Sequence, residues 1–241
     1  MSLLVKNLFA VFLLAGFAGT FPVPEETWER FPDGSMGQAT EFRGVGGIVI
    51  PAYLRKPTGA GPFPVIVLLH GGRYGKAATE GMGRSMKSPV EDFIQAGWAV
   101  YSIDYRPFEK IAIEPIEFDD SVEAIRTVRK FPFIDPDRVG LMGGSHGAQV
   151  GSRVVSRVDL SGAILCAPAA LDLIEVKKAF GRGEQLVPIL KKMVADMEEK
   201  HGAKAEEIER EPAKFGHSSA LTEVTQVRCP ILIINGRNDD N

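Results

Sequence analysis

One short motif in the sequence has the composition and the setting of a nucleophilic serine. Residues 143–147 read Gly-Gly-Ser-His-Gly, directly after a predicted β-strand at 138–142 and at the start of a predicted helix at 146–155. In this G-x-S-x-G pattern, a sharp strand-to-helix turn exposes the serine hydroxyl at its apex. Side chains at Gly143 or Gly147 would collide with backbone in so sharp a turn, and the helix N-terminus adds positive potential beside Ser145. The pattern favours a nucleophile for acyl transfer over a purely structural turn.

A second glycine-rich segment could supply the hydrogen-bond donors that acyl transfer requires. Residues 70–75 read His-Gly-Gly-Arg-Tyr-Gly and follow a predicted strand at 64–69. Glycines let the backbone approach a substrate closely, with N–H groups pointing at it. A tetrahedral oxyanion needs two such donors. We expect one from the N–H of His146 and the other from Gly72 or Arg73. The alternative is an ordinary turn at the end of the strand.

Acidic residues follow the last predicted strand, where the third member of a catalytic triad could lie. Residues 236–240 read Gly-Arg-Asn-Asp-Asp after a predicted strand at 231–235. In the chain order Ser, Asp, His, the carboxylate that orients the histidine falls at this point. Asp239 is the first candidate and Asp240 the alternative. A solvated turn rich in Asn and Asp is the interpretation that involves no function.

The elements that must position these segments follow an alternating pattern. Continuous apolar runs predict buried strands, and apolar residues at helical spacing predict helices between them. The strands are expected at 64–69, 98–103, 138–142, 162–165 and 231–235. Such alternation implies an α/β domain with a mostly parallel sheet and helices on both faces, where ligands bind beyond the carboxyl ends of the strands. A helical insertion at about 172–214 separates the last two strands and could cover that edge.

The N-terminus has the order of a secretory signal peptide. Residues 1–18 combine an early Lys6, an apolar run from residue 8, and the small residues Gly16 and Ala18 before a possible cleavage site. We therefore expect an exported protein, periplasmic or extracellular, with no membrane association after signal removal. A buried N-terminal helix or a membrane anchor is the alternative. Residues 19–40 contain three prolines and read as an irregular lead-in.

Composition limits the classes of partner. The formal charge is −3, and lysines and arginines are scattered along the chain, so no electrostatic footprint for nucleic acid is present. The two cysteines, Cys166 and Cys229, lie at opposite ends of their predicted parallel strands, and we expect free, largely buried thiols. The sequence leaves the oligomeric state undetermined.

At these places the chain resembles the α/β-hydrolase superfamily, most closely the catalytic domain of the prolyl oligopeptidase family and the related dienelactone-hydrolase-like esterases. The matching segments are His-Gly-Gly at 70–72, Asp-Tyr-Arg at 104–106, Asp-Pro-Asp-Arg-Val at 135–139, the motif at 143–147, and Cys-Pro-Ile-Leu-Ile-Ile-Asn-Gly at 229–236. The resemblance covers about residues 41–241, with the insertion its least specific part. It implies an α/β-hydrolase fold, Ser145 as nucleophile, Asp239 as triad acid, and backbone donors at His146 and in the loop after His70.

The chain departs from this family in its histidines. In the family the triad histidine follows the acid after a further strand, whereas all four histidines here precede Asp239: His70, His146, His201 and His217. We expect none of them to be the base, with the side chain of His146 pointing away along its helix. The expected base lies beyond Asn241, and a final strand and helix are missing with it. The strand at 231–235 would then be an open apolar edge that favours aggregation.

The resemblance implies a serine hydrolase that cleaves ester or peptide bonds of a small-molecule or peptide substrate through an acyl-enzyme. One alternative is a carboxylesterase or acetyl esterase that acts on small or carbohydrate esters. The other is a non-catalytic binding protein with the same fold, or an inactive fragment. No metal or cofactor is expected.

Overall fold

The computed structural model describes residues 28–72, 76–106, 115–168, 170–183, 188–204, 207, 210 and 219–236. Several predictions fall outside these residues: the signal peptide at 1–18, Arg73, His217, Asp239 and Asp240. The side chain of His201 is also not described.

In the described part of the chain, eight strands form one mixed sheet in the order β1-β2-β3-β5-β4-β6-β7-β8. The strands are β1 (Glu29–Arg30), β2 (Met36–Arg43), β3 (Val49–Lys56), β4 (Phe63–Leu69), β5 (Ala99–Ile103), β6 (Ile134–Gly144), β7 (Gly162–Cys166) and β8 (Ile231–Ile234). Strands β1, β2 and β3 pair antiparallel, and β3 is antiparallel to β5. The pairs β5–β4, β4–β6, β6–β7 and β7–β8 are parallel, so the last residues of these five strands lie at one edge.

Helices cover both faces of the sheet, as the alternating pattern predicts. They are α1 (Lys76–Gly83), α2 (Val90–Gln95), α3 (Pro115–Val128), α4 (His146–Val154), α5 (Leu173–Gly181) and α6 (Pro188–His201), with 3-10 turns at Val45–Gly47 and Ala220–Gln226. Successive side chains of β4 point to opposite faces. Val65 and Val67 join one core cluster with residues of α3 and α4, and Ile66 and Leu68 join another with Val90 of α2. None of the described helices is long and apolar enough to cross a membrane.

The insertion between β7 and β8 contains α5 and α6, which form a small core of their own. Leu173 and Ile174 of α5 pack with Met193, Val194 and Met197 of α6, and all five side chains are buried. The predicted helical character of this segment therefore agrees with the described residues.

Two sequence-based expectations need correction. The lead-in was expected to be irregular as far as residue 40, but β1 and the first half of β2 lie within it. This was wrong because β2 is a polar strand (Met-Gly-Gln-Ala-Thr-Glu-Phe-Arg) that pairs along its whole length with β3. Cys166 and Cys229 are free, but they are only partly buried. Strand β8 is the edge strand of the described sheet, and its four apolar side chains are between 37% and 55% exposed.

Candidate active site

Ser145 occupies a strained turn between β6 and α4. Its backbone has φ 52° and ψ −118°, a region that non-glycine residues rarely adopt and that persists only where the surroundings impose it. Its N–H donates to the carbonyl of Cys166 at the end of β7 (2.9 Å), and its own carbonyl accepts from Ala148 and Gln149 (both 3.1 Å). The side chain is exposed and makes no capping hydrogen bond to α4. The hydroxyl therefore projects from the carboxyl edge of the sheet.

Packing around the turn gives a steric reason for both flanking glycines. A Cβ added at Gly143 would lie 2.3 Å from the carbonyl oxygen of Gly147. A Cβ added at Gly147 would lie 2.4 Å from the oxygen of Leu69 and 2.5 Å from that of His70. Real Cβ atoms essentially never come closer than 3.0 Å to another heavy atom. The first turn of α4 is thus in backbone contact with both β6 and the end of β4.

The glycine-rich loop after β4 lies directly against this turn. A Cβ at Gly71 would lie 2.9 Å from the oxygen of Gly144 and 3.1 Å from the Cβ of Ser145. Gly72 has φ 68°, which favours glycine. His146 is the first residue of α4, where backbone N–H groups point out of the helix end. The structure therefore brings Gly72 and the N–H of His146 to the same edge as Ser145.

Two buried histidines flank the turn, each paired with a carboxylate. Nε2 of His70 lies 3.1 Å from Oδ1 of Asp104, and Nε2 of His146 lies 2.7 Å from Oε1 of Glu117. Glu117 belongs to the first turn of α3 and is completely buried. The expectation that His146 points along its own helix is therefore wrong, because its ring crosses to the neighbouring helix and bonds there. This pairing fixes the residue that follows the nucleophile.

The Asp-Tyr-Arg segment after β5 connects the glycine-rich loop to the rest of the edge. The Tyr105 hydroxyl donates to the carbonyl of His70 (2.6 Å), and the two rings stack with centroids 4.2 Å apart. Burial raises the pKa of Tyr105, and the charges of Glu117 and Asp104 raise it further. The hydroxyl therefore remains a donor at neutral pH.

Arg106 makes the second connection of this segment. It forms two hydrogen bonds to Asp120 of α3 (2.6 and 2.5 Å), and these raise its pKa. Asp120 also accepts from the N–H of Val45 (2.9 Å), so one buried carboxylate ties the 3-10 turn before β3 to the end of β5. Sequence reasoning assigned no role to Tyr105, Glu117 or Asp120. Of these three residues, only Tyr105 had a feature in the sequence that suggests a role at the site, because it lies just after the end of a predicted strand.

The parallel strands, the strained serine turn at their carboxyl edge and the glycine loop against it define the α/β-hydrolase fold. Comparison with family models agrees: the BD-FAE model matches residues 52–160, and the model of the prolyl oligopeptidase family matches residues 113–241, more than half of the chain. The chain belongs to the prolyl oligopeptidase family.

Among curated proteins, the chain is similar to "Esterase EstD" from Thermotoga maritima, with 30% identity over 134 residues. That match covers 53% of this chain and 32% of EstD, so the chain spans about a third of that relative. Among solved structures, Porphyromonas gingivalis dipeptidyl peptidase 4 matches with a TM-score of 0.62 and 19% identity, covering 86% of this chain and 28% of that one. Acetyl xylan esterase from Paenibacillus sp. R4 matches with a TM-score of 0.61 and 14% identity, covering 88% and 70%. At these identities the solved structures support the fold alone.

Proposed function

We propose that this protein is a serine hydrolase in which Ser145 attacks the carbonyl carbon of an ester or peptide bond. The observation that carries the proposal is the backbone strain at Ser145, combined with a glycine loop so close to the turn that a Cβ added at Gly71 would lie 2.9 Å from the Gly144 oxygen. A strained serine whose hydroxyl is exposed, and whose side chain does not cap the helix that follows it, is the arrangement that nucleophilic catalysis uses.

The proposed reaction has two halves. The Ser145 oxygen forms a bond to the carbonyl carbon, the oxyanion accepts hydrogen bonds from the N–H groups of His146 and of Gly72 or Arg73, and the alcohol or amine leaves with a proton. Water then attacks the acyl-enzyme and releases the acid. Asp239, or Asp240, would orient the histidine that moves these protons. We assign that base to no histidine among the described residues, and no cofactor enters the reaction.

Esters are the first substrate class to examine, because the curated relative with 30% identity is named an esterase. Peptides are the second, because the chain belongs to the prolyl oligopeptidase family and has the fold of a dipeptidyl peptidase. A non-catalytic binding protein is the third possibility, and it predicts no turnover of either class.

The test compares hydrolysis of p-nitrophenyl acetate and of glycyl-prolyl-p-nitroanilide by the wild type, Ser145→Ala and Ser161→Ala. Ser161 is an exposed serine just before β7, at the opposite edge of the sheet, and serves as the matched control. We expect turnover that Ser145→Ala abolishes and Ser161→Ala preserves, with the preferred substrate separating esterase from peptidase. Turnover that survives Ser145→Ala would contradict the proposal.

We also propose that the protein is exported, as the order of residues 1–18 indicates. N-terminal sequencing of the protein recovered from its native host would test this. A mature chain that begins near residue 19 is expected, and one that retains the apolar run would contradict export by a cleaved signal.

A further inference from the structure

We propose that Tyr105 is a positioning residue that sets the distance between the two segments assigned to the oxyanion hole. These segments are the loop at residues 70–72 and the first residue of α4, His146. The inference rests on the proposed function, because it concerns how that reaction's donors are held.

Tyr105 is attached to the loop by two contacts of different kinds. Its hydroxyl donates to the carbonyl oxygen of His70 at 2.6 Å, and its ring is nearly parallel to the His70 ring, with 6° between the planes. His70 is held in turn by Asp104, whose Oδ1 lies 3.1 Å from Nε2 of His70 and also accepts the N–H of Tyr105 at 3.1 Å. The peptide group that Tyr105 holds is the one that leads into Gly71.

The same ring also neighbours the other donor segment. The centroids of Tyr105 and His146 are 6.2 Å apart with 30° between the planes, and His146 is fixed from α3 by Glu117. Tyr105 is only 2% exposed, so its position is determined by this packing. One buried side chain therefore contacts the residue that begins the loop and the residue that follows the nucleophile.

The loop has little room to adapt if this hydrogen bond is lost. Gly71 already packs so closely on the turn that a single added carbon would lie 2.9 Å from the Gly144 oxygen. Oxyanion donors act only when they are 2.7–3.1 Å from the developing charge, and loss of one donor slows acylation about 10²- to 10³-fold. Displacement of a donor that remains present should have a smaller effect, about tenfold.

Tyr101, in the strand that leads to Tyr105, offers a matched control. It is a completely buried tyrosine of β5 that packs edge-on against Phe131, and its hydroxyl has no hydrogen-bond partner among the residues that the structure describes. Tyr101→Phe therefore removes the same atom as Tyr105→Phe from the same core without touching the loop.

The experiment labels the full natural chain of the protein and both variants with a fluorophosphonate and separates the maximal labelling rate, the half-saturating concentration and the final labelled fraction. The phosphonyl oxygen occupies the oxyanion position, so the ³¹P resonance of labelled Ser145 reports the donors directly. We expect Tyr105→Phe to lower the maximal rate about tenfold at unchanged half-saturation and full final labelling, and to shift the ³¹P resonance. We expect Tyr101→Phe to match the wild type in all four measurements.

Three results would overturn the inference. One is a maximal rate and a ³¹P resonance for Tyr105→Phe that equal those of the wild type. The second is a reduced labelled fraction with an unchanged rate, which indicates a role in folding alone. The third is a wild-type chain that is folded but not labelled. That result refutes the proposed function, and this inference with it, and it is recognised from the wild-type sample alone.

Discussion

Gly143→Ala should be among the most damaging small substitutions in this chain. The new Cβ would lie 2.3 Å from the oxygen of Gly147, 2.5 Å from its carbonyl carbon and 2.7 Å from the nitrogen of Ala148. Restoring a 3.0 Å contact requires a displacement of about 0.7 Å, and all three atoms are backbone in the first turn of α4. That turn cannot retreat toward β4, because Gly147 already packs against the oxygen of Leu69.

The expected consequences affect both stability and chemistry. Overpacking of this kind costs about 1–3 kcal/mol, and we expect the upper end because no flexible side chain can absorb it. A shift approaching 1 Å at a reacting group slows reaction by up to about 10²-fold, so labelling of Ser145 should slow at least tenfold.

The assay is urea unfolding together with fluorophosphonate labelling of folded protein, and Gly144→Ala is the control. A Cβ at Gly144 has no heavy atom within 4 Å, and its φ lies outside the positive range, so this neighbouring substitution should change stability by less than about 1 kcal/mol. If Gly143→Ala unfolds at the wild-type midpoint and is labelled at the wild-type rate, the steric account of the turn is refuted.

Three further predictions concern other parts of the structure. Glu117→Ala removes the carboxylate that pairs with the buried His146 and should lower the free energy of unfolding by about 1–3 kcal/mol. Glu117→Gln can still form a hydrogen bond and should lower it less. Equal losses for the two variants in urea unfolding would count against the pairing. Burial raises the pKa of Glu223, but hydrogen bonds that include one from Arg157 outweigh it and hold the pKa below 4.5, so its stabilisation is present above pH 4.5 and lost as pH falls through the lower folded value. Unfolding midpoints between pH 6 and 3 should therefore fall more steeply for the wild type than for Glu223→Gln, and parallel curves would contradict this. Leu232→Lys places a charge on exposed β8 and should reduce self-association of the 241-residue chain, measured by sedimentation velocity. Self-association equal to that of the wild type would contradict this prediction.

The parts of the fold that could be predicted from the sequence are those with a local signal. The run at Phe63–Leu69 is continuously apolar because both its faces are buried, so its pattern alone identifies a central strand. The turn at Ser145 was predictable because its residue pattern is contained in five residues, and the clash that requires Gly143 is with Gly147 of the same turn. Residues 45–54 were predicted to form an early strand or hairpin arm, and β3 lies there. Its partner β2 was missed because β2 is largely polar, and pairing with β3 decides its structure.

The contacts that hold the site together could not be predicted, because they join residues far apart in the chain. His146 and Glu117 are 29 positions apart on different helices, and nothing in either local sequence indicates a partner. The Tyr105 hydroxyl bonds to a backbone oxygen 35 positions away, and a backbone oxygen is the same in every sequence. The segment Asp-Tyr-Arg at 104–106 belongs to the family resemblance, but its sequence does not indicate what the tyrosine contacts. The hydrogen bond from Tyr105 to His70 is visible only in the structure.

The central claim is that Ser145 is an activated nucleophile, and covalent labelling followed by peptide mapping tests it most directly. The full natural chain of the protein and its Ser145→Ala variant, both folded, are treated with a fluorophosphonate, digested and analysed by mass spectrometry. We predict one adduct per wild-type chain, located on Ser145, and none on the variant. A folded wild-type chain without an adduct, or an adduct that persists in Ser145→Ala, would contradict it.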